Sequence, residues 1–393
     1  MVSLVAFVAA YELSKGVRYP MPPTGALVAH YMQQEEEKKE TSSSSVARSS
    51  VASSQASSGT SSAVPASRVD NKIGVYLTSS SVVREEFADA TLDALKEAGG
   101  NSIVFDVKGS MVYFHTDASL VQEIGLVSKY AYDLPAFVRK AKERGFYTIG
   151  RFIALKDPVF AQRKPESQIR HIATGRSIGN VWVDGSVPLV QDYNRQILED
   201  LLRADIDEIN LDYIRFPTEY GVKAAGLNGN QKADKVGAFL KMARETIDRV
   251  NPRTKLGIST YAILGWNFPV NVESLGQDFV RFAPLVDIIS PMAYPDSFAQ
   301  GYYYRPGKDP RSRPYFLVWR TLDGYKTLLG PEHSKKLRPW LQAYNLSNQG
   351  VRDEMEAVYD AGLCGFQMWS AGNKYGVTYA ALKMKMEVPE RCL

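Results

Sequence analysis

From residue 72 onward, eight short β-rich runs alternate with stretches of helical period, and few folds accept that order. The runs fall at 73–78, 102–108, 146–154, 208–217, 255–261, 286–294, 337–344 and 365–370. Amphipathic helical patterns occupy 84–99, 134–145, 187–205, 230–251, 274–285, 325–336, 348–362 and 377–386. Eight strand–helix units predict a TIM (β/α)8 barrel. The rival, a doubly wound open sheet, calls for a glycine-rich phosphate loop after the first strand, where this chain reads LTSSSVV.

The first 70 residues differ in kind. Residues 1–40 hold an apolar start, MVSLVAFVAAY, and a charged tail. The start is shorter than the roughly 20 residues of a spanning helix, and it lacks a basic n-region. Residues 41–70 are dominated by Ser, Ala, Val and Thr, which cannot build a core and predict a disordered, flexible linker. The barrel is expected over 71–393. An apolar start, a Ser-rich stalk and a folded domain form a layout of secreted or membrane-tethered proteins, with a cytoplasmic protein as the alternative. A net charge of +4 without a dense Lys/Arg stripe argues against nucleic acid. Four scattered histidines make no metal-binding spacing, and nothing in the sequence calls for a cofactor. Cys364 and Cys392 both fall at the barrel's lower end, where a disulfide and two free thiols are both open; a Cα separation above about 7 Å excludes the former.

Barrel strands bury both faces, so parity assigns each side chain to the helices or to the interior. In the fourth run, EINLDYIRFP, Ile209, Leu211 and Tyr213 form the outward set, and Asn210 and Asp212 point inward. Asp212 lies near the C-terminal end, the face where barrel enzymes carry their chemistry. The same parity places Tyr76, Asp106 and Lys108 inward on the first two strands, and Arg151 lies toward the end of the third. Tyr261, Tyr294, Gln342 with Tyr344, and Trp369 end the last four. A mouth of carboxylates, cations, amides and aromatic rings suits a polyhydroxylated ligand, whose C–H faces stack on rings and whose hydroxyls meet the polar groups.

The segments KIGVYLTSSS, VFDVKGSMVYF, IGRFIALKDPVFA, LDYIRFP, ISPMAYP, RPWLQAY and MWSAGNKY, in this order over residues 72–386, resemble the family catalogued as "putative glycoside-hydrolase domain", distantly akin to the α-amylase and α-galactosidase barrels. The resemblance implies a glycoside hydrolase acting on a poly- or oligosaccharide, with Asp212 as nucleophile or charge stabiliser. It also maps the family's motifs onto Asp106 with Lys108, Lys156-Asp157-Pro158, and Trp182 with Asp184. Glycoside hydrolysis needs a second carboxyl as proton donor. Asp296, in the loop after the sixth strand, is favoured over Asp106, because Lys108 two residues on is expected to lower the pKa of Asp106. Arg215 or Arg151 is expected to pair with Asp212, and Lys108, Arg151, Asp184, Arg215, Tyr76, Tyr261, Tyr294, Gln342 and Trp369 to bind substrate. Relatives often end the fifth strand with an aspartate, where this chain has Tyr261; a non-catalytic glycan-binding barrel on a surface stalk is the alternative.

Overall fold

The computed structural model describes residues 70–392. The apolar start, the charged tail and nearly all of the Ser-rich linker expected over 1–70 lie outside the described residues. Among the described residues there are ten strands: β1 (Ile73–Leu77), β2 (Ser102–Lys108), β3 (Val112–Phe114), β4 (Val127–Tyr132), β5 (Tyr147–Ile153), β6 (Glu208–Asp212), β7 (Lys255–Tyr261), β8 (Ile288–Met292), β9 (Trp340–Gln342) and β10 (Phe366–Trp369). Eight of them, β1, β2 and β5–β10, pair in parallel, and β1 bonds both β2 and β10, which closes a TIM barrel. β3 and β4 extend the sheet beyond β2 as a side insertion that the run pattern did not announce.

The helices sit where their sequence signals put them. Asp133 accepts the Ala136 N–H ahead of Leu134–Glu143, and Asn228 and Gln231 form a capping box on Gly229–Val250. Two expectations needed correction. The pattern over 274–285 is broken into Pro269–Leu275, Phe279–Phe282 and a short 3-10 turn, with Gly276 in the left-handed region between them. The helix expected over 325–336 begins at Arg313, capped by Ser312, and is interrupted at Gly330.

Parity sorts the wall into two faces. Ile103, Phe105, Val107, Phe152, Ile209 and Leu211 join the main core under the helices. Tyr76, Val104, Ile149 and Trp340 pack inside the barrel. The interior is tiered and polar. At the lower end Glu208 is paired with Arg338 and accepts from Tyr147; Arg338 also meets Asp70 at 3.1 Å. Burial raises the Glu208 carboxyl above its usual range against the pull of Arg338. Above it, Ser259 donates to Asn210 at 2.6 Å and accepts from the Trp340 indole at 3.0 Å. Gly257 makes this ladder fit: a Cβ there would meet Glu208 Oε1 at 2.8 Å and Asn210 Nδ2 at 2.9 Å.

Candidate active site

The top tier is built around one guanidinium. Arg151, on β5, donates from Nε and Nη2 to Asp212 Oδ2 at 2.9 and 2.7 Å, and from Nη1 to Asp106 Oδ1 at 2.7 Å. Asp106 Oδ2 accepts from the Tyr76 hydroxyl at 2.5 Å, and Asp212 Oδ1 accepts the Tyr213 backbone N–H at 2.7 Å. Strand register produces this: Arg151 lies opposite Asp106 on β2 and Asn210 on β6, and Asp212 ends β6 two residues further up the barrel. One guanidinium thus bridges the two carboxyls, each within 2.9 Å of its nitrogens.

Electrostatics separate the members. Burial raises the Asp106 carboxyl above its usual range, opposed by Arg151 and Tyr76 and reinforced by the charge of Asp212. Burial works against the Arg151 cation, yet Asp212 and Asp106 together hold it protonated far beyond the ordinary range. Tyr76 and Tyr294 are pushed well up by burial and neighbouring carboxylates, so both remain neutral phenols.

Aromatic rings wall this tier. Tyr76 and Trp369 stack at 4.2 Å, and Trp340 meets Trp369 edge-on at 5.9 Å. Arg151 lies 4.9 Å from the Trp369 ring. Tyr294 and Tyr344 meet edge to face at 6.4 Å. Three supports escaped the sequence reading. Tyr132, from the inserted β4, donates to the Asp106 carbonyl. Tyr375 donates to the Tyr76 carbonyl, and Asn373 bonds both that carbonyl and the Thr78 N–H. The last two belong to the MWSAGNKY segment, so a motif past the final strand fixes the end of the first.

Several expected residues lie elsewhere. Lys108 does not face the mouth: pairing with β5 shifts between Asp106 and Lys108, so two β2 steps meet one on β5 and Lys108 shares Phe152's side of the wall. It is fully buried, pairs with Asp157 at 2.8 Å, and sits 5.2 Å from the Phe152 ring and 5.4 Å from Tyr193. It therefore cannot lower Asp106, whose carboxyl moves up instead. Arg215 is not the partner of Asp212. Tyr213 adopts φ 52, which turns the chain out of the strand just after Asp212. Arg215 then lies between the rings of Trp182 (4.6 Å), Tyr261 (4.9 Å) and Tyr213 (5.7 Å).

Asp184 is spent on structure: it accepts the N–H and hydroxyl of Ser186 and pairs with Lys235 at 2.8 Å. Gln342 is buried and holds the loop after β8, accepting the Asp296 N–H and donating to the Tyr344 carbonyl. Asp296 itself is half-buried in that loop, with Asn345 donating to its Oδ2 at 3.1 Å. No contact links it to the Arg151 cluster among the described residues. Tyr261 ends β7, where the resemblance called for an acid; its N–H bonds Gln277. Cys364 and Cys392 form a disulfide, with Cα atoms 5.2 Å apart.

Fold and rim together define a TIM barrel whose mouth joins two carboxylates through an arginine beneath an aromatic wall. A family model described as "Putative glycosyl hydrolase domain" matches residues 74–375, and the chain belongs to that family. At that level it is a glycoside hydrolase domain. No curated protein matches the chain. Among solved structures it is similar to the β-galactosidase of the psychrophilic Marinomonas ef1, with TM-score 0.54 and 12% identity over 76% of this chain and 54% of that one. It is also similar to a catalytic mutant of a GH42 β-galactosidase from G. stearothermophilus, with TM-score 0.53 and 11% identity over 80% and 55%. Both are likenesses of fold. A hypothetical protein from Ruminiclostridium thermocellum is 27% identical over 47% of this chain and 96% of its own, with TM-score 0.40.

Proposed function

We propose that the barrel hydrolyses a glycosidic bond in a poly- or oligosaccharide, with Asp212 attacking or stabilising the anomeric carbon. The observation that carries this reading is the clasp of Asp212 and Asp106 by Arg151 at the C-terminal mouth. Two carboxyls with divergent environments are what the chemistry requires. Asp106, whose burial favours its protonated form, gives its proton to the leaving oxygen as the C–O bond breaks; water then adds to the anomeric carbon, displacing Asp212 where it has bonded there, and returns a proton to Asp106. Tyr76, Trp369 and Tyr294 offer ring faces and hydroxyls to the sugar. The test is release of reducing ends from a panel of oligosaccharides by the wild type and by Asp212→Asn. Loss of release with an unchanged melting curve supports the role, and unchanged turnover in the variant overturns it.

A second reading is glycan binding without cleavage. It is favoured by Tyr261 at the end of β7 and by the Arg151 bonds that occupy an oxygen of each carboxylate. Saturable oligosaccharide binding with no reducing-end release by the wild type would establish it over hydrolysis.

For the compartment, we favour the outside of the cytoplasm, secreted or tethered through the N-terminal segment. The Cys364–Cys392 disulfide supports this, because such bonds persist in oxidising surroundings. Recovery of both cysteines as free thiols from protein isolated from its native cells with the thiols trapped at lysis would argue for the cytoplasm.

A further inference from the structure

Beside the Arg151 cluster lies a second charged group that the hydrolytic reading leaves unused. Lys156, just past β5, extends its ammonium to 5.1 Å from the Tyr213 ring and 5.9 Å from the Trp182 ring. Among the described residues it makes no ion pair and no hydrogen bond through that ammonium. Arg215 is 3% exposed, and its guanidinium lies against Trp182, Tyr261 and Tyr213. It donates to the Phe216 carbonyl at 2.6 Å, with no carboxylate at ion-pairing distance among the described residues.

Two acids face this group, and both are engaged. Asp212 is held by Arg151 and the Tyr213 N–H. Glu219 accepts the Trp182 indole N–H at 3.0 Å and the Thr218 N–H at 2.8 Å. A buried cation without an anion is costly, and ring faces offset only part of that cost.

We infer that Lys156 and Arg215, flanking Tyr213, form a subsite for an acidic sugar, receiving the carboxylate of a uronic-acid unit next to the bond held at Asp212. The inference rests on the reading of the mouth as a glycan site and names the class of glycan. Tyr213 follows Asp212 directly and leaves the strand at φ 52, and its ring lies 5.1 Å from the Lys156 ammonium and 5.7 Å from the Arg215 guanidinium. A carboxylate received here would meet an ammonium and a planar guanidinium, both within about 6 Å of the Tyr213 ring, and the guanidinium fork matches carboxylate geometry.

The test uses the full chain carrying Asp212→Asn, so that ligands are not consumed, and calorimetric titration. The probes are trisaccharides of galacturonate, of mannuronate and containing glucuronate, each beside its carboxyl-reduced neutral counterpart, plus a sulfated galactose trisaccharide. At least one uronide should bind about tenfold or more tightly than its neutral partner, as a charge-assisted contact provides. Lys156→Met should shrink that ratio, and Arg215→Lys should preserve more of it than Arg215→Met. No preference for any uronide over its reduced form overturns the inference, as does a preference untouched by Lys156→Met. Tighter binding of the sulfated sugar than of every uronide overturns the carboxylate assignment. The two readings fail separately: cleavage of neutral glycans without acidic preference sinks only this one, and acidic preference without cleavage by the wild type sinks only hydrolysis.

Discussion

Asp106 Oδ1 and Asp212 Oδ2 each lie 2.7 Å from a nitrogen of the same residue, Arg151, so the guanidinium is the only described cation between two buried carboxylates. Arg151→Met removes that charge and leaves the acids facing each other. Breaking a buried pair from one side costs about 3–5 kcal/mol, read by chemical denaturation. Adding Asp106→Asn to Arg151→Met should restore part of the loss, a non-additivity expected of groups in one network. Strict additivity would show that the three residues do not act together.

The proton donor is distinguished by leaving-group dependence. If Asp106 supplies the proton, Asp106→Asn should cut kcat on substrates with sugar leaving groups by about 10²–10⁴-fold, the usual worth of acid catalysis, and far less on nitrophenyl glycosides, whose leaving oxygen needs no proton. Asp296→Asn should show no such split. The opposite pattern reassigns the acid to the loop after β8.

Lys108→Met should act on stability. It strands Asp157, which is 1% exposed and also caps the helix Pro158–Arg163. A loss of about 3–5 kcal/mol is expected in denaturant titration, and KM measured well below the melting temperature should stay near the wild-type value. A large rise in KM in a protein of unchanged stability would return Lys108 to the substrate.

Glu354, on the helix Asn348–Asp360, is fully buried, and the hydrogen bond it receives is from the Gln342 N–H. Burial raises its carboxyl well above the usual range. A raised folded-state pKa gives stability that is present below the unfolded value near 4.5 and lost as pH rises through the folded one. Glu354→Gln keeps an acceptor for the N–H and removes the charge. The variant should melt higher than wild type at pH 8, and the gain should vanish at pH 4. A gain equal at both would mean that charge is not the cause.

How far the sequence disclosed the site is seen at the places where period-2 parity held and where it broke. Along β6 the alternation runs intact from Glu208 to Asp212, so Asn210 and Asp212 were placed inward from pattern alone. Parity fails at a bulge, and the shift after Asp106 sends Lys108 outward with nothing in FDVKGS to mark it. It fails again where a non-glycine residue turns left-handed: Tyr213 reads as one more outward apolar residue of EINLDYIRFP, and Arg215 follows it away from Asp212. Contacts between distant segments, such as Tyr132 on Asp106 or Asn373 on Thr78, depend on closure of the barrel and leave no local trace.

The lower end of the barrel fixes where the folded unit can be cut. Asp70 lies before β1, yet its carboxylate meets Arg338, 1% exposed and, among the described residues, otherwise paired with Glu208 alone. At the far end Cys392 is bonded to Cys364 beside β10. A recombinant fragment trimmed to the first and last strands would leave a cation uncompensated at its base and a thiol without its mate. Expression boundaries should therefore run from Asp70 through Cys392, and trimming beyond either should show up first as poor yield.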